Sequence, residues 1–187
     1  MRTFLRDILT VLIIAAIIFF AQQATIQSFS VDGPSMNHSF QDGQRLLVNK
    51  VVYKFHEPER GDVVIFHPPN NEQDDYIKRI IGLPGESVEI KEGIVYIHTE
   101  GGEVVPLDES YITEQARQPF NGDLIPENEY FVLGDNRNNS SDSRSGWTLP
   151  RQNIVGKTWL SIWPPDKWGL AANYPLQEQL DSLTNIK

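Results

Sequence analysis

From Ile8 to Ala21 the chain carries no charge, and only Thr10 interrupts a run of Ile, Leu, Val, Ala and Phe. Such a stretch has no polar face to offer water, so it does not suit a helix on a small soluble domain. With Phe4 and Leu5 before it and Ala24 to Ile26 after it, the run reaches the roughly 20 residues that span a bilayer. We expect an N-terminal transmembrane helix, with residues 1–27 forming a cytoplasmic stub and anchor. Arg2 and Arg6 precede the run, and no Lys or Arg follows until Arg45. By the positive-inside tendency the N-terminus stays cytoplasmic and residues 28–187 lie on the far side, as in a single-pass plasma-membrane protein. A cleaved secretory signal is the alternative, since a basic start, an apolar stretch and Ala21-Gln22-Gln23-Ala24 meet part of that pattern. The polar Gln22 and Gln23 and the length of the apolar block favour an uncleaved anchor.

The rest of the chain alternates short apolar runs with Gly and Pro breaks. Arg45 to Tyr53 reads as a strand ended by Glu57-Pro58, and Val63-Val64-Ile65-Phe66 as a buried strand closed by Pro68-Pro69. The polar segment Asn70 to Asp75 is a loop. Tyr76 to Ile81 is the next strand, stopped by Gly82-Leu83-Pro84-Gly85. Ser87–Ile90 and Gly93–His98 form a hairpin. Residues 100–128 show little periodicity and read as surface connections. Tyr130 to Leu133 and Ile154 to Trp163 return to strand, with a polar loop from Gly134 to Gly146. Leu176, Leu180 and Leu183 carry the spacing of a short C-terminal helix. Trp159, Trp163 and Trp168 suit either the core or a membrane interface, core being the simpler expectation. The expected class is mainly β: a strand-rich domain, sandwich or barrel-like, behind an N-terminal transmembrane helix.

Several chemistries are disfavoured. A formal charge of -9 argues against a nucleic-acid surface. With no cysteine there is no disulfide, thiolate metal site or cysteine nucleophile. His38, His56, His67 and His98 lack metal-ligand spacing, so no metal is expected.

Ser35, in the tight turn Gly33-Pro34-Ser35-Met36, is a candidate nucleophile, but a hydroxyl is inert until a base takes its proton. Lys78 is the candidate base. Period-two alternation sets it on one strand face with Tyr76 and Ile80, while Arg79 shares the other with Ile77 and Ile81. An exposed lysine titrates at about 10.4 and cannot accept a proton at neutral pH. Burial must bring it to about 7–8, a cost on the order of 4 kcal/mol. The loop Gly134 to Arg144 is dense in Asp, Asn and Ser with two arginines, so it can bond to itself and orient a lysine. A Ser-His-Asp arrangement using His38, His67 or His98 remains open.

Together these pieces resemble the type I signal peptidases, membrane-bound serine/lysine proteases that remove signal peptides from exported preproteins. The resemblance rests on the anchor, Gly33-Pro34-Ser35-Met36, Gly61-Asp62-Val63-Val64-Ile65-Phe66, the run from Tyr76 to Glu86, and the Gly134 to Arg144 loop, in that order. It implies a largely β catalytic domain with an apolar surface that meets the bilayer, Ser35 as nucleophile and Lys78 as general base. It further implies Ser140 holding the lysine amine, Asp142 and Arg144 as a supporting ion pair, and Val31, Met36, Phe40, Tyr76 and Ile77 as walls of pockets for small side chains. No cofactor is expected, and the partners are preprotein signal peptides and the lipid bilayer. Two departures stand out. His38 replaces a usual proline after the nucleophile, and Gly33 occupies a position where some members carry a serine that helps hold the oxyanion. A catalytically silent, membrane-anchored relative that binds preproteins or scaffolds a partner is the alternative of another class.

Overall fold

The computed structural model describes residues 2–184 except 72 and 175, and within its helices the side chains at 2, 3, 5, 18, 20–24 and 181–184 lie outside the description. The elements, in chain order, are helix α1 (Arg2–Thr25), strands β1 (Ile26–Ser30), β2 (Arg45–Asn49), β3 (Val63–Phe66), β4 (Tyr76–Gly82), β5 (Ser87–Lys91), β6 (Ile94–His98), β7 (Val104–Pro106), β8 (Phe120–Asn121), β9 (Glu129–Leu133), β10 (Leu149–Pro150), β11 (Ile154–Trp163) and β12 (Gly169–Leu170), and helix α2 (Leu176–Thr184). The mainly β expectation agrees with this order. Among the described residues no helix is long and apolar enough to cross a membrane. The expected anchor falls on α1 and lies in part outside the described residues.

The strands form two sheets. The larger runs β1-β2-β11-β3-β4-β9-β10, with β12 beside β11, and the smaller runs β7-β6-β5-β8. Every pairing is antiparallel, as the Gly and Pro breaks between short runs allow. β3 and β4 sit inside the large sheet, and from Val63 to Gly82 their residues are buried except Tyr76 at the start of β4. Opposite Lys78 in the register is Val64, and Ile80 packs with Val64, Tyr76 and Val132 in one apolar cluster. Ile77 and Ile81, on the alternate face, belong to two other clusters. The hairpin β5–β6 is closed by Glu92 and Gly93, both at positive φ (53° and 82°), the conformation of a two-residue type I′ turn. Leu176 and Leu180 of α2 pack into the cluster that joins the small sheet to Ile81 and Leu133 of the large one.

Three expectations are corrected. The strand from Arg45 stops at Asn49 rather than Tyr53, because Asn49 Oδ1 accepts from the N–H groups of Val51 and Val52 (3.0 and 3.1 Å) and turns the chain into a 3-10 helix. Residues 100–128 are not wholly irregular, since β7 and β8 add the two outer strands of the small sheet. Trp159, Trp163 and Trp168 are not core: they are 46%, 53% and 69% exposed. Trp159 and Trp163 lie on β11, where register shifts between Thr158 and Leu160 and between Ser161 and Trp163 break the period-two alternation, and Thr158 and Ser161 are the buried neighbours.

Candidate active site

β4 carries Lys78 in the middle of a buried strand, and its side chain has only 4% of its surface exposed. Burial lowers its pKa from the ordinary 10.5 to about 8, while the carboxylates of Asp142 and Asp135 pull the other way. The amine lies 2.7 Å from Ser35 Oγ and donates to its own strand neighbour's carbonyl at Ile77 (2.8 Å). The Tyr76 ring centroid is 5.2 Å away. These two hydrogen bonds hold the amine against the hydroxyl. At a pKa near 8 a useful fraction is neutral at pH 7–8, so it can take the hydroxyl proton.

Ser35 sits in a chain of turns rather than in a strand. Asn37 N–H donates to the Pro34 carbonyl (2.9 Å) and Phe40 N–H to the Met36 carbonyl (2.8 Å). Gly33 enters the turn at φ 83°, and its N–H donates to Asp42 Oδ1 (2.9 Å). His38 also has positive φ, 81°. Proline is locked near -65° and cannot adopt that angle, so this turn follows a path that the usual proline would forbid. The departure at 38 is therefore a change of backbone route, and the segment is tied by its own hydrogen bonds.

The loop after β9 closes over the turn. Asn136 N–H donates to the Ser35 carbonyl (3.0 Å), and Asn136 Nδ2 to the Pro34 carbonyl (3.1 Å). Gly134 is needed because a side-chain carbon there would collide with the Ser35 carbonyl and with Ser140. Asp142 accepts from Arg144 through both oxygens (2.7 and 2.7 Å) and from Gly134 N–H (3.1 Å). Arg144 Nη1 adds a bond to the Arg137 carbonyl (2.7 Å).

A cleft of about 550 Å³ opens beside the pair. Ser35, Lys78, Val31, Tyr76 and Ile77 line it, together with Phe29 and Ser30 of the terminal strand β1. Met36 and Phe40, expected in its walls, are instead 0% and 1% exposed in the apolar cluster with Val31, Leu46 and Ile77. The tight turn after Ser35 folds both side chains inward. Ser140 also differs from expectation: its Oγ is buried without a hydrogen-bond partner, and the lysine amine is held by Ile77 O instead.

None of the histidines bonds to Ser35 among the described residues. His67 Nδ1 faces Asp75 (3.2 Å), His98 Nε2 faces Glu89 (2.9 Å), and His38 is exposed. The Ser-His-Asp alternative thus finds no geometry here. Nor do three His, Asp or Glu side chains converge as a metal site among the described residues.

Sequence reasoning missed the support behind the pair. Arg79, beside Lys78, is fully buried and holds Asp135 by two bonds (2.9 and 2.6 Å). Its remaining donors reach the Gly61 and Ala172 carbonyls (2.8 Å each), and its guanidinium lies 4.2 Å from the Tyr111 ring centroid. Next along the loop, Arg137 is held by Glu109 (2.6 and 2.5 Å). A strand arginine on a face otherwise apolar was the available signal, because such a charge is buried only with a partner.

Compared with known proteins, residues 4–163 match the family model described as signal peptidase, peptidase S26. The chain belongs to this family of serine endopeptidases. It is 39% identical over 151 residues to a probable signal peptidase I-1 of Synechocystis sp., covering 77% of this chain and 74% of that one. It is 34% identical over 178 residues to signal peptidase IB of Staphylococcus aureus, covering 87% and 91%. A crystal structure of a signal peptidase I from Enterococcus faecalis is 34% identical and covers 55% of this chain and 97% of its own, with a TM-score of 0.48.

Proposed function

We propose that this signal peptidase family member is a membrane-anchored endopeptidase that removes N-terminal signal peptides from exported preproteins by a Ser35/Lys78 dyad. The observation that carries the reading is the 2.7 Å separation of Lys78 Nζ and Ser35 Oγ at a buried amine, in a cleft large enough for an extended peptide. Neutral Lys78 takes the Ser35 proton while Oγ attacks the scissile carbonyl. The tetrahedral intermediate collapses as the protonated lysine gives its proton to the leaving amine, and an ester to Ser35 remains. Lys78 then deprotonates a water that attacks the ester, which releases the signal peptide and restores the hydroxyl. A protonated lysine has three donors, and Ile77 O and Ser35 account for two.

The cleft walls from Val31, Tyr76 and Ile77 are apolar and suit small side chains before the cut. For the anchor, α1 is a helix of 24 residues, roughly 36 Å long at 1.5 Å per residue, against a hydrocarbon core of about 30 Å. Phe4, Leu9, Val11, Leu12, Ile13, Ile14 and Ile17 are all more than half exposed, an apolar coat that suits a lipid environment. Trp159 and Trp163 on β11, Trp168 in the connection that follows and Leu170 on β12 supply exposed apolar side chains for the bilayer surface. Arg2 and Arg6, at the start of α1 and before its apolar run, set the N-terminus in the cytoplasm and the catalytic domain, from about residue 28, outside.

The test is cleavage of a model preprotein by the purified full chain against Ser35→Ala and Lys78→Ala. Loss of product in both variants is expected. Wild-type turnover in either removes the dyad, and no cleavage by the wild type favours the silent relative.

A further inference from the structure

With Gly33 in place of a hydroxyl-bearing residue, the donor left for the developing oxyanion is the Ser35 N–H, since Pro34 has none. Among the described residues this N–H makes no hydrogen bond. Its aim is set by the peptide between Pro34 and Ser35. That unit is planar and trans, so its carbonyl and its N–H point in opposite directions, and whatever fixes the carbonyl fixes the N–H. The Pro34 carbonyl accepts from Asn37 N–H (2.9 Å), within the turn itself, and from Asn136 Nδ2 (3.1 Å), 102 positions away. The next carbonyl, of Ser35, accepts from Asn136 N–H (3.0 Å). One residue therefore holds two successive peptide planes around the nucleophile. Asn136 is itself held: Asn139 N–H donates to its carbonyl (3.0 Å), and its neighbour Asp135 is fixed by the buried Arg79 beside Lys78.

We propose that Asn136 is the positioning residue of the oxyanion site, its side-chain amide turning the Pro34–Ser35 peptide so that the Ser35 N–H faces the substrate carbonyl. This rests on the dyad reading above. Asn136 touches neither substrate nor the reacting atoms, so its loss acts only through the direction of one donor. Removing an oxyanion donor outright costs about 100- to 1000-fold, and misaiming one costs less.

The experiment compares wild type with Asn136→Ala, which keeps the backbone bond to the Ser35 carbonyl and removes the amide. A fall in kcat of about 10- to 100-fold is expected, with KM and the acid limb of the pH profile unchanged. A substrate-like peptide aldehyde, which forms a hemiacetal with Ser35 and places an oxygen in the oxyanion position, should lose affinity by the same factor. The matching peptide alcohol, which cannot add, should bind as to wild type. Unchanged kcat overturns the proposal. So does an equal loss of alcohol binding or a displaced acid limb, because either marks a loosened loop. Should Asn136→Ala not fold, Asn136→Leu keeps much of the shape, removes the amide donor without adding a charge near Lys78, and carries the same expectations. Ser35→Ala or Lys78→Ala with wild-type turnover defeats the dyad, a failure separable from that of Asn136.

Discussion

Lys78→Met separates what the amine does for catalysis from what it costs the fold. Methionine keeps the apolar stem and nearly the volume of lysine, and it removes the charge from a side chain with 4% exposure. The lysine pKa falls from 10.5 in the unfolded chain to about 8 in the folded one, chiefly through burial. At 1.36 kcal/mol per unit, this corresponds to about 3 kcal/mol of destabilisation wherever both states are protonated. Because the folded protein holds this proton less tightly, wild-type stability rises with pH between about 8 and 10.5. Below pH 8 the whole penalty is present. Above 10.5 it is gone. The variant also loses the hydrogen bonds to Ile77 O and Ser35 Oγ, a pH-independent offset of about 1–2 kcal/mol. The difference in unfolding free energy between Lys78→Met and wild type should therefore be about 3 kcal/mol more favourable to the variant at pH 7 than at pH 10.5. Urea unfolding of the full chains in detergent micelles, followed by tryptophan fluorescence at both pH values, measures this. Equal differences at the two pH values would refute a desolvated amine, and with it the physical basis of a lysine base. The variant should also be inactive, an enzyme traded for stability.

In wild type, kcat/KM should climb as pH rises through about 8, as the amine loses its proton; a flat profile from about pH 6 to 10 would contradict a lysine base. Asp142→Asn removes a carboxylate that raises the Lys78 pKa, so the acid limb should move to lower pH. The same change breaks the bond pair to Arg144 and should cost about 3 kcal/mol of stability in chemical denaturation; an acid limb that stays in place would argue against coupling between the two groups. His38→Gly should stabilise the chain by about 0.5–1 kcal/mol, because glycine adopts φ 81° without the penalty that histidine bears there. A lower unfolding midpoint would speak against the left-handed turn.

Much of this architecture was legible because strand signals are local. Short apolar runs and Gly-Pro punctuation marked β3, β4, β9 and β11, visible alternation marked the β5–β6 hairpin, and a four-and-three leucine spacing marked α2. Turn chemistry misled at Asn49, whose side chain ends a strand that its β-branched neighbours would have prolonged. The candidate site divided in the same way. Lys78 was recognisable as an amine on an apolar strand face, whereas Asp142 and Arg144 were paired by resemblance alone. Asn136 was not, since its role is to hold carbonyls 102 positions away, and no local pattern records such a bond. Met36 and Phe40 were placed in the cleft by resemblance and went to the core by the direction of one turn.

By itself, then, the sequence determined the local segments: an uncharged apolar run too long for a surface helix, strands of fixed period, and a serine, a lysine and a polar loop in a recognisable order. The tertiary structure decided the chemistry. Antiparallel pairing of β3, β4 and β9 buries Lys78 and brings it to a serine 43 residues earlier, and only that burial lowers the pKa of the amine. A proton acceptor of this kind is a property of desolvation and distance, and neither exists until the sheet has closed around it.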